Sequence, residues 1–82
     1  MAKKARVYVT LKRGVLDPQG SAVNRALHAM GYGEVSDVRL GKYIEVRLRD
    51  GAAPADERRR IEEMCRRLLA NTVIEDFHIE LP

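Results

Sequence analysis

The chain has 82 residues, one cysteine, no tryptophan and a formal net charge of +3. That length suits a single domain, expected over residues 1–82, and a domain this small buries only about 60% of the surface its unfolded chain exposes. A lone Cys65 rules out an intrachain disulfide or a cysteine-rich metal centre and fits a reducing compartment.

The charge is unevenly spread. Residues 1–13 carry five positive charges and no negative one, whereas residues 71–82 carry three acids and neither Lys nor Arg. A basic head and an acidic tail suit a polar protein contact as well as a nucleic acid. The opening residues lack the apolar run of a signal peptide, and no stretch reaches transmembrane length. The expectation is a cytoplasmic protein with no membrane partner.

Val7, Val9 and Leu11 alternate with Arg6, Tyr8, Thr10 and Lys12, the period of a strand with one buried face. Next comes Leu11-Lys-Arg-Gly-Val-Leu-Asp-Pro-Gln-Gly20. Gly14 allows a turn closed to other residues, and Asp17-Pro18 is a helix start, a carboxylate cap followed by a proline at the first helical position. Val15 and Leu16 are apolar, although a loop that only had to turn would not need them.

Pro18 to Met30 reads as a helix with Ala22, Val23, Ala26, Leu27 and Met30 on one face, closed by Gly31 and Gly33. Val35–Leu40 and Tyr43–Arg49 read as two strands around Gly41-Lys42. A two-residue turn would mix their faces. A three-residue loop sets Leu40 opposite Ile44 and Val38 opposite Val46, so a longer loop or a bulge is preferred. A single long bent strand through Gly41 is the other possibility.

After a break at residues 51–54, Pro54 to Ala70 is a helix. Ile61, Met64, Cys65, Leu68 and Leu69 form its apolar stripe, and Glu62–Arg66 and Glu63–Arg67 are spaced for i,i+4 pairs. Asn71 ends it. Phe77, Ile79 and Leu81 then alternate with Asp76, His78 and Glu80 as a last strand. The order is β-α-β-β-α-β, or β-α-β-α-β if the middle strand is continuous. Either predicts an α+β, ferredoxin-like-related two-layer sandwich, with two helices on one face of a small antiparallel sheet.

Chemistry is sparse. The glycines at 14 and 20 are separated by five residues and followed by Ser21, whereas a phosphate-binding P-loop needs four residues and then Gly-Lys-Ser/Thr. Cys65 sits on an apolar helix face and reads as a small buried hydrophobe. His28 and His78 occupy polar positions without metal-ligand spacing. Arg58-Arg59-Arg60 is interleaved with acids and reads as a solvated face. The element order also fits an RNA-recognition module with Tyr8 and Tyr43 as stacking residues. However, Gly41-Lys-Tyr-Ile-Glu-Val46 departs from the expected aromatic motif and puts Glu45 where bases would lie. A small-molecule-sensing ferredoxin-like module has only the element order in its favour.

The stretch Leu11–Gly20 resembles the signature of PurS, the small subunit of phosphoribosylformylglycinamidine (FGAM) synthase. So do Val38-Arg-Leu-Gly-Lys42 and Cys65-Arg-Arg-Leu-Leu-Ala-Asn-Thr-Val-Ile-Glu-Asp76, apart from Asn71-Thr72, where the family commonly has Asn-Pro. The resemblance spans essentially the whole chain.

It implies a non-catalytic subunit of an ATP-dependent carbon–nitrogen ligase. The complex turns formylglycinamide ribonucleotide (FGAR), ATP and glutamine into FGAM, ADP, phosphate and glutamate. A PurL-type synthetase would hold ATP and magnesium, and a PurQ-type glutaminase would release ammonia. This chain would form a homodimer or higher oligomer that joins the two, with no cofactor, metal, catalytic residue or nucleic acid of its own. On this reading Lys12, Arg13, Gly14, Val15, Leu16, Asp17, Arg39 and Lys42 meet a partner subunit, and Asn71, Ile74 and Glu75 form a corner or dimer seam.

Overall fold

The computed structural model describes residues 3–49, 51 and 53–82, Pro54 by its backbone. Three strands and two helices follow one another as β1 (Lys3–Leu11), α1 (Pro18–Ala29), β2 (Gly41–Leu48), α2 (Pro54–Met64) and β3 (Glu75–Glu80). α2 runs on into one π turn, Cys65–Leu69. The strands make one antiparallel sheet in the order β2-β1-β3, the α+β class expected.

β1 is central because its alternation is the most complete. Ala5, Val7 and Val9 are fully buried, whereas Arg6, Tyr8 and Thr10 face outward. Val7 stands opposite Ile44 on one side and Ile79 on the other. Ile61, Cys65 and Ala70 cover these residues from α2 and the end of its π turn, with Met64 and Leu69 packed alongside. Burial pushes the Cys65 thiol pKa up, as befits a small core residue. Glu62 reaches Arg66 and also Arg58, each at 3.7 Å. The Glu63–Arg67 pair is not formed.

Three expectations need correction. First, residues 41–42 are not a hairpin turn. Gly41 opens β2 and pairs with Thr10, so the order is β-α-β-α-β, and residues 35–40 lead into β2 without regular secondary structure and without joining the sheet. Gly41 is demanded by close approach: a Cβ there would collide with the Val9 carbonyl oxygen.

Second, Leu68 is 84% exposed. The Ala70 N–H donates to the Cys65 carbonyl at 2.9 Å, which inserts an extra residue into the turn. Ala70 therefore takes the place below Cys65, and Leu68 swings out.

Third, α1 does not roof the sheet. No residue of α1 belongs to the core cluster, Met30 is 70% exposed, and Ala22, Val23 and Ala26 also face solvent. Residues 12–40 instead form an arm beyond the end of β1. The molecule accordingly measures 51 × 27 × 15 Å with a radius of gyration of 16.3 Å, against about 12 Å for a compact chain of this length.

Of the break expected at residues 51–54, Ala52 lies outside the described residues, and Ala53 precedes α2 without a side-chain cap. No helix among the described residues is long and apolar enough to cross a membrane.

Candidate functional site

The turn after β1 is closed by the Val15 N–H, which donates to the Lys12 carbonyl at 3.1 Å. Gly14 occupies its third position with φ +88°, an angle that favours glycine. Asp17 then caps α1. Its Oδ1 accepts the Gly20 N–H at 2.9 Å and its Oδ2 accepts the Leu40 N–H at 2.9 Å. One carboxylate thus binds both the start of the helix and the chain returning beside it. These two backbone donors, Gly20's first, hold the Asp17 carboxyl below its ordinary pKa, and nearby Arg39 adds to the effect.

Gly20 is buried. A Cβ at this position would strike the Val38 carbonyl oxygen and the Asp17 carboxylate, so the helix and the return segment touch here. At the far end of α1, the Tyr32 N–H donates to the Leu27 carbonyl and the Gly31 N–H to the His28 carbonyl, at 3.0 and 3.1 Å. This closes the helix in a Schellman arrangement.

The residues singled out in three separate stretches of sequence converge at this end of the sheet. The Lys12 N–H donates to the Ile74 carbonyl at 2.8 Å. Lys42 Nζ lies 3.8 Å from Glu75 Oε2, while Glu75 Oε1 accepts the Asn71 N–H at 2.8 Å. Asn71 Oδ1 accepts from the Val73 N–H at 3.2 Å, so residues 71–74 make a tight corner into β3. Arg39 reaches back to the end of β1, where its guanidinium donates to the Leu11 and Lys12 carbonyl oxygens.

Leu16 is 78% exposed, Arg13 is exposed, and Val15 and Lys12 are half-buried. Two shallow depressions share Asp17 as a wall. One, of about 340 Å³, lies between Val15, Ser21 and Val38. The other, of about 280 Å³, lies between Leu11, Leu40 and Glu75.

The groups gathered here are cationic tips, apolar tips and a braced main chain, the equipment of a docking surface. Among the described residues, no cluster of His, Cys, Asp and Glu side chains would hold a metal ion. His28 is engaged with the Val35 carbonyl oxygen at 2.7 Å, and His78 stacks near Tyr8 on the open sheet face, ring centroids 6.1 Å apart.

The sequence reading did not find Gly20, Val38 and the Leu40 N–H as members of this site. A glycine inside the first turn of a helix, where propensity disfavours it, was the available signal.

The model of the family described as PurS, phosphoribosylformylglycinamidine (FGAM) synthase, matches residues 4–82. The phosphoribosylformylglycinamidine synthase subunit PurS of Bacillus subtilis is 55% identical over 78 residues, which is 95% of this chain and 90% of that protein. PurS of Methanocaldococcus jannaschii is one of the subunits of formylglycinamide ribonucleotide amidotransferase in the purine biosynthetic pathway. Its structure superposes with a TM-score of 0.83 at 38% identity, covering 98% of this chain and 95% of that one. The same fold occurs in PurLQS from Thermotoga maritima, with a TM-score of 0.88 at 24% identity over 100% of this chain and 99% of that one.

Proposed function

The chain belongs to the PurS family, and we propose that it is the small, non-catalytic subunit of a cytoplasmic FGAM synthase. As one domain over residues 1–82, it bridges a PurL-type synthetase and a PurQ-type glutaminase and assists ammonia transfer in the conversion of FGAR to FGAM. ATP and magnesium are held by the partner synthetase. The chain itself works as a homodimer or higher oligomer. The RNA-recognition alternative has no support: the order of elements differs from that module's, and the family is another one.

The observation that carries the bridging role is the convergence of Lys12, Asp17, Arg39, Lys42 and the corner at residues 71–75 on one exposed end. Lys12, Arg13 and Lys42 supply charge at the partner contact. Val15 and Leu16 supply apolar anchors, and exposed apolar tips beside cations suit a protein surface. Gly14, Asp17 and Arg39 hold the loop in one shape. Asn71, Ile74 and Glu75 brace it from behind.

Reconstitution tests the reading. The matching synthetase and glutaminase are supplied with FGAR, ATP, magnesium and glutamine, and FGAM is measured with and without this chain. Product should depend on the chain when glutamine is the donor, and much less so when ammonium chloride replaces it. Glutamine-dependent synthesis that is indifferent to the chain overturns the assignment.

A further inference from the structure

The corner into β3 carries an apolar side chain that the chain itself does not use. Val73 is 80% exposed, slightly more than Leu16 at 78%. It holds the third position of a tight turn, Asn71 to Ile74, closed by the Ile74 N–H donating to the Asn71 carbonyl at 3.0 Å. Such turns favour Gly, Asn, Asp and Ser, and a turn that only faced water would gain nothing from valine.

The backbone around Val73 is fixed from both sides. Its N–H donates to Asn71 Oδ1 at 3.2 Å. The Glu75 N–H donates to the Asn71 carbonyl at 2.7 Å, and Glu75 Oε1 accepts the Asn71 N–H at 2.8 Å. The Lys12 N–H donates to the Ile74 carbonyl at 2.8 Å, and the Lys12 carbonyl accepts the Val15 N–H at 3.1 Å. Lys12 thus ties the corner to the turn that leads to Leu16, so both exposed apolar tips are carried on one frame. A β-branched side chain has few rotamers to lose, and a group fixed before contact docks at a small entropic cost.

Charge defines the surface that these tips fit. The acids at this end are engaged within the chain or turned elsewhere. Asp17 accepts the Gly20 and Leu40 N–H groups, and Glu75 lies 3.8 Å from Lys42. Asp37 lines the depression beside Arg39, and Asp76 stands opposite Thr10 on the open sheet face. Among the described residues, Lys12 and Arg13 take part in no ion pair.

We propose that Val73 and Leu16 are two prongs of one contact, received in apolar pockets of a single partner subunit whose acidic side chains face Lys12 and Arg13. A nucleic acid would suit the two cations but not the prongs, which have no ring to stack on a base. The contact rests on the subunit reading above and adds to it a residue, Val73, and the chemistry of the receiving surface.

Binding measurements test it. The affinity of the full chain is measured separately for the purified synthetase and the purified glutaminase. Val73→Ala should weaken binding to the same subunit that Leu16→Ala weakens, by about fivefold. Val73→Asp should weaken it by about fiftyfold or more, because a carboxylate then enters an apolar pocket beside acids. Added salt should weaken wild-type binding, and weaken that of Arg13→Ala less. Val73 lies outside the core cluster, so both Val73 variants should keep the wild-type urea midpoint and the wild-type sedimentation of the free chain.

Val73→Asp that binds as tightly as the wild type overturns the contact. So do Val73 and Leu16 variants that act on different subunits, or a Val73 variant whose own sedimentation changes, which would make Val73 a self-association residue. The reconstitution assay separates the two readings. A wild-type chain without effect on glutamine-dependent synthesis removes the subunit role. A wild type that drives synthesis, matched by Val73→Asp at limiting chain concentration, removes only the contact.

Discussion

Asp17 and Leu40 are 23 residues apart, yet the Leu40 N–H donates to Asp17 Oδ2 at 2.9 Å. The same carboxylate caps α1 through Gly20. A single side chain thereby closes the arm at its base, where it leaves β1 and re-enters β2. Asp17→Ala should uncouple the two. Hydrogen exchange at the Gly20 and Leu40 amides should speed up at least tenfold, while the Val7 and Ile79 amides in the sheet keep their protection.

The same carboxylate makes the arm acid-sensitive. Its pKa is depressed in the folded chain by the two backbone donors, so the bonded, charged form stabilises the arm above the unfolded carboxylate pKa of about 4. That contribution is lost as the pH falls through the lower, folded value. The protection of the Leu40 amide, relative to its intrinsic exchange rate, should therefore fall below about pH 4, and Asp17→Ala should remove this pH dependence.

Two glycines stand where a methyl group has no room. Gly41→Ala pushes a Cβ into the Val9 carbonyl, and Gly20→Ala into the Val38 carbonyl. Overpacking of this kind costs about 1–3 kcal/mol. Urea unfolding should show that loss for Gly41→Ala, which lies in the β1–β2 ladder. Gly20→Ala should act mainly on the arm, visible as shifted α1 resonances in an NMR spectrum.

The π turn predicts a contrast between two leucine-sized side chains on one helix. Ile61 is fully buried and Leu68 is 84% exposed. Ile61→Ala should cost about 2–5 kcal/mol in urea unfolding. Leu68→Ala, measured on a chain kept monomeric by dilution, should change stability by less than about 0.5 kcal/mol.

Leu16 contributes little to the fold of the single chain, being 78% exposed. Leu16→Ala should leave the unfolding midpoint in place and weaken binding to the synthetase about five- to tenfold, the loss of more than about 1 kcal/mol expected of an apolar anchor. Arg39→Ala, which frees the Leu11 and Lys12 carbonyls, should reduce glutamine-dependent synthesis and leave the core unchanged. Binding measured by calorimetry and product measured by chromatography check the pair.

The residues alone determined much of this protein. Alternation in β1 and β3 named the buried sheet face correctly because strand side chains have a strict period of two. Asp17-Pro18 located the start of α1 because cap chemistry is local. The blocks at residues 11–20, 38–42 and 65–76 were enough to reach the family. What only the tertiary structure decided depends on which surface meets which. Periodicity marks Val23, Leu27 and Met30 as apolar but does not say what covers them, and in the single chain the sheet does not. The matching faces of Val38 and Val46 favoured a hairpin, yet β2 pairs with β1 and residues 35–40 stay outside the sheet, because a register rule does not say which strand the partner is. The π turn turned Leu68 outward through one backbone hydrogen bond that leaves no mark in a pattern of apolar residues.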